Sequence, residues 1–162
     1  MPERFSEEAI LPCLLDRLCD QDPDSQRESS YRHSLTLGSF RQSVLRDLSW
    51  LLNTPCHSPG EPIFEFPEAK TSVLNYGKPD FTGKTASTVN PHQLEVDIAR
   101  AIRLYEPRIL PDSISVQAVP ENNSSSPNRI AFEIRGLLWA NPLPEEFHLQ
   151  TTVDLETGQC LV

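Results

Sequence analysis

Hydrophobic positions in this chain change their period once. Leu14, Leu15 and Leu18 form a short stripe with Asp16 and Arg17 on the opposite side, which predicts a brief helix with Pro12 in its first turn. Phe40, Val44, Leu45, Leu48, Leu51 and Leu52 then recur at helical spacing, with Ser39 as the expected N-cap and Pro55 as the stop. A third helix is marked by Asn90 as cap, Pro91 at the first helical position and Gln93 three residues on, in the manner of a capping box. Leu94, Ile98, Ala101, Ile102 and Tyr105 make its apolar face, and Pro107 ends it.

After Pro111 the period becomes two. Ile114, Val116 and Ala118 alternate with polar neighbours, as do Ile130, Phe132, Ile134, Gly136 and Leu138, and then Phe147, Leu149, Thr151, Val153 and Leu155. Three alternating runs, 113–119, 129–139 and 146–155, predict an antiparallel meander with one buried face. Helices first and strands last give an α+β fold, with N-terminal helices packed on a C-terminal antiparallel sheet of at least three strands.

Between these elements lie three polar or punctuated stretches. "DQDPDSQRESSYRHS", residues 20–34, is acidic and poor in apolar residues, so residues 1–34 are expected to be a mobile arm carrying the short helix, and residues 35–162 the folded domain. The prolines and glycines from Pro55 onward make residues 55–90 a long ordered connection, a length that in a compact domain usually signals function. "NNSSSPN", residues 122–128, joins the first two strands.

Composition narrows the chemistry. A net charge of −9 opposes the electrostatic footprint of a nucleic-acid binder. No apolar run is long enough for a bilayer span, and the acidic N-terminus does not read as a secretory signal, so a cytoplasmic protein without membrane insertion is expected. Cys13, Cys19, Cys56 and Cys160 lack paired spacing, and the four histidines are dispersed, so neither a metal nor a cofactor is indicated.

The most constrained polar feature is Glu106-Pro107-Arg108. Proline stops the helix and biases Glu106 away from the α region, so two opposite charges leave a fixed bend. They could tie the helix end to the following strand, or serve docking, since the Arg108 guanidinium suits a carboxylate.

"YEPRI" at 105–109, "SVLNYGKPDFTG" at 72–83 and "LLDRL" at 14–18, in this order, resemble the TssE family of type VI secretion baseplate subunits. That family falls within the contractile-phage baseplate wedge proteins and sheath initiators, labelled gene-25-like lysozymes. The resemblance covers nearly the whole chain, with departures at the "NNSSSPN" insert and around Pro55 to Pro67. It implies a non-catalytic structural subunit that contacts the wedge proteins TssF and TssG and templates the TssB/TssC sheath. It also implies that Glu106, Pro107 and Arg108 are an interface, and we expect Leu14, Leu15 and Leu18 to fold against a partner. The run "HLQTTVDLETG" carries little charge and no proline, so if it lies at an edge, strand addition around Thr152 is expected, unless residues 159–162 fold back over it.

The label raises a rival class, a muramidase acting on peptidoglycan. Its chemistry needs two carboxyl groups flanking a sugar, one in an apolar pocket. No acidic pair here is marked by an aromatic platform. Trp50 lies near the apolar stripe of its helix, where core or interface packing is expected, and Trp139 is expected on the outer sheet face.

Overall fold

The computed structural model describes residues 12–19, 36–85, 88–119, 128–140 and 143–161. Among the described residues, four α-helices, α1 (Leu14–Leu18), α2 (Leu37–Asn53), α3 (Pro67–Lys70) and α4 (Pro91–Tyr105), precede four strands, β1 (Ser115–Val119), β2 (Arg129–Leu138), β3 (Glu145–Asp154) and β4 (Cys160–Leu161). The strands form one antiparallel sheet in the order β1-β2-β3-β4. The arm boundary near Ser34 and most of the "NNSSSPN" connection lie outside the described residues.

Binary pattern explains the layers. Phe132, Ile134 and Leu138 of β2 and Phe147, Leu149 and Val153 of β3 share the inner sheet face. They meet Phe40, Val44, Leu48, Leu51 and Leu52 of α2 and Leu94, Ile98, Ala101 and Ile102 of α4 in a single core. The outer sheet face bears Gln117, Glu133, Arg135, Glu146, His148 and Gln150.

Local corrections have simple causes. Thr36, not Ser39, caps α2, because its extended backbone lets Oγ1 accept the Ser39 N–H at 3.1 Å. Cys13 holds the N-cap position of α1, which leaves Pro12 just outside the helix. Asn90 does cap α4, accepting from the His92 N–H, but Gln93 donates to Asp97 one turn on, so the reciprocal half of the box is not made.

The described part of the connection after Pro55 is held by its own motif. Tyr105 of α4 donates its hydroxyl to the carbonyls of Ser72 and Asn75, at 3.0 and 2.8 Å. Asn75 is buried and bridges the segment, accepting from the His57 N–H and donating to the Lys70 carbonyl. Gly77 has φ +126°, and a Cβ there would meet the Thr54 carbonyl oxygen at 2.3 Å, so only glycine permits this crossing beneath the end of α2. Most of the "SVLNYG" stretch is therefore scaffold, while Val73 and Leu74 remain exposed at its apex.

Candidate partner-binding site around the Glu-Pro-Arg corner

α4 ends because Pro107 cannot continue it, and Glu106 takes the C-cap with its N–H on the Ile102 carbonyl. The chain then turns alongside the end of β2. Leu110 donates to the Leu137 carbonyl at 2.8 Å, and the Trp139 N–H donates to the Arg108 carbonyl at 2.7 Å. Gly136 makes the crossing possible, since a Cβ there would lie 2.8 Å from the Cγ2 of Ile109.

The two charges of the corner face each other. Glu106 is 3% exposed. Its Oε1 accepts from the Arg108 N–H at 3.1 Å and Nε at 2.7 Å, and its Oε2 accepts from Nη2 at 2.5 Å. Arg108 also reaches α2, through Nη2 to Asp47 Oδ2 at 2.6 Å and Nη1 to Ser43 Oγ at 3.2 Å. Burial opposes the Arg108 charge most strongly, yet the carboxylates of Glu106 and Asp47 hold its pKa above the ordinary arginine value. Glu106 is thus turned inward and positions Arg108, whose side chain keeps 19% exposure beside the exposed ring of Pro107.

The network continues to α1. Asp47 Oδ1 accepts from Arg46 Nε at 2.9 Å, and Arg46 Nη1 donates to Asp16 Oδ1 of α1. Cys13 Sγ also donates to Asp16, at 2.9 Å. The hydrogen bond from Arg46 holds the Asp16 carboxyl below its ordinary range. The polar side of α1 therefore meets α2, while Leu14, Leu15 and Leu18 remain 70%, 42% and 73% exposed. The short stripe predicted from sequence is present and buries little against this chain.

Trp50 is not core. It is 50% exposed beside the arm, with the Arg46 guanidinium 5.1 Å from its ring centroid. That stacked arginine was legible in sequence only as a residue four positions earlier on the same helix.

Thr152 is not at a free edge, because β4 folds back and pairs Leu161 with Thr152 and Cys160 with Val153. The Asp154 N–H donates to the Gln159 carbonyl, so alternation turns the N–H and C=O of residues 152, 150, 148 and 146 toward that same side. Among the described strands, residues 145–151 of β3 pair with β2 alone. Arg41 of α2 contacts the His148 carbonyl at 3.3 Å. The opposite edge of the sheet is tied down by side chains of α4: Glu95 Oε1 accepts the Ala118 N–H at 2.7 Å, and Arg103 donates to the Ile114 carbonyl.

No group of three or more His, Cys, Asp or Glu that could hold a metal occurs among the described residues. No helix among them is long and apolar enough to cross a membrane.

Searches of curated proteins and of solved structures find no match to this chain. A family model described as "Baseplate wedge protein gp25" matches residues 38–143, which span α2, the connection, α4, the corner, β1 and β2. The match includes the corner and the "SVLNYG" scaffold, and ends before β3. It removes the muramidase alternative, because this wedge family is structural and non-enzymatic. The chain belongs to the gp25 baseplate wedge family and is a structural component of a contractile tail-like apparatus.

Proposed function

We propose that this protein is the TssE-type subunit of a type VI secretion baseplate, working in the cytoplasm. In this reading it binds the wedge proteins TssF and TssG and starts assembly of the TssB/TssC sheath. Residues 1–34 act as an arm and residues 35–162 as the wedge domain. Arg108 meets the wedge at the corner, held in place by Glu106 and Pro107, while Leu14, Leu15 and Leu18 supply an apolar contact. The sheath adds a strand along β3, entering beside Thr152 where β4 ends.

The observation that carries the reading is the contrast between the two sheet edges. Side chains of α4 occupy the Ala118 N–H of β1 and the Ile114 carbonyl just before it, whereas residues 145–151 of β3 offer a row of alternate N–H and C=O groups whose described contact is Arg41. Main-chain pairing along such an edge gives affinity, and alternating side chains fix register. A tagged protein recovered from cells of its own species should bring down wedge and sheath proteins together. Recovery of neither class would overturn the reading, and recovery of wedge proteins alone would remove its sheath half.

A further inference from the structure

Five side chains of alternating charge run from the arm to the corner: Asp16, Arg46, Asp47, Arg108 and Glu106. Asp47, the carboxylate between two guanidiniums, is divided between them, giving Oδ1 to Arg46 and Oδ2 to Arg108. Likewise Arg46 is divided between Asp16 and Asp47. All five are shielded, from 34% side-chain exposure at Arg46 to 3% at Glu106, so solvent screening is incomplete.

We infer that the series works as a clip whose two ends are coupled: the hold of α1 on the body depends on the charge state of the corner. An anionic group presented to Arg108 draws the guanidinium from Asp47. Asp47 then turns to Arg46, and Arg46 loosens its hold on Asp16. The arm helix is released with Leu14, Leu15 and Leu18 already facing outward. A partner carrying a carboxylate at the corner would in this way make the apolar arm available for its own capture, so that the two contacts form in order. This consequence rests on the corner being a partner-binding site, whereas the coupling itself is a property of the isolated chain.

An alternating chain has a signature that general loosening lacks, because the sign of the effect must alternate with position. Neutralising Asp47 leaves Arg46 wholly to Asp16 and tightens the clip. Neutralising Arg108 gives Asp47 to Arg46 and loosens it. The full chain and its variants are compared by hydrogen exchange in the segment 13–19, where the amides of Arg17 and Cys19 are bonded within the arm helix. Asp47→Asn is expected to slow exchange there by about threefold or more with α4 unchanged, and Arg108→Gln to quicken it by a similar factor. Should Arg108→Gln fail to fold, Glu106→Gln carries the same test with the opposite sign and slows exchange. Unchanged or faster exchange in Asp47→Asn would overturn the coupling, since mere structural damage quickens exchange in every variant. The proposed wedge contact would survive that failure, and loss of the wedge contact would leave the coupling standing.

Discussion

Arg108 closes onto Glu106 across a single proline, donating Nε and Nη2 to the two oxygens of a carboxylate that is almost wholly buried. Its free energy follows from what each partner would suffer alone. Removing the cation leaves a buried anion without compensation, a loss of about 3–5 kcal/mol. Arg108→Glu should therefore lower the thermal midpoint of the isolated protein strongly, and Arg108→Lys should recover only part of it because the two-pronged geometry is lost. Thermal denaturation of the two variants checks this. An unchanged midpoint in Arg108→Glu would show that the pair contributes little to the fold.

Gly136 supports the corner from below. Gly136→Ala places a methyl group 2.8 Å from Ile109 in a packed region, and should destabilise by about 1–3 kcal/mol. The loss should appear in urea unfolding, with changed exchange at Ile109 and Leu110 as the local sign. Alanine tolerated without cost would mean that the corner has room to shift.

The arm helix should respond to acid. Asp16 has its pKa lowered from 3.8 by the hydrogen bond from Arg46, so its contribution is fully present above that value and is lost as pH falls through the lower folded-state pKa. Protection of the 13–19 segment should hold from neutral pH down to about pH 4 and collapse below it. Asp16→Asn should remove this dependence and leave the segment open at neutral pH. Acid exchange experiments, corrected for intrinsic rates, make the comparison.

Exposed leucines on the arm separate stability from assembly. Replacing Leu14, Leu15 and Leu18 together by serine removes apolar surface that this chain scarcely covers, so the unfolding free energy should stay within about 1 kcal/mol of the parent and the thermal midpoint should barely move. Recovery of wedge proteins in a pulldown should fall. A large drop in midpoint would place these side chains in the fold.

Much of this architecture was legible in sequence because burial imposes a period. α2 and α4 were readable from stripes such as Phe40, Val44, Leu48 and Leu94, Ile98, Ile102, and the long strands from strict alternation around Phe132 and Phe147. β4 is legible only as the alternative that residues 159–162 fold back, because two residues, Cys160 and Leu161, cannot display a period. The corner was legible as a rigid bend, since proline acts locally. Its pairing with Asp47 was not, because 61 residues separate the partners and no sequence spacing encodes that approach. The same holds for Asp16 and Arg46, which come from segments on either side of the 20–34 stretch. The run around Thr152 reads as a possible edge because it carries little charge and no proline, but edge status depends on what folds back beside it.

Gln150 is where strand addition along residues 145–151 of β3, proposed as the start of sheath assembly, can be blocked. Its N–H faces away from β2, so Gln150→Pro removes one donor from the open edge and none from the β2 ladder, a position where proline is compatible with an edge strand. Purified variant and parent are compared for nucleation of sheath on wedge complexes, with wedge binding measured in the same samples and circular dichroism confirming the fold. Wedge binding should be retained and sheath nucleation lost. A folded Gln150→Pro protein that nucleates sheath as the parent does would contradict it.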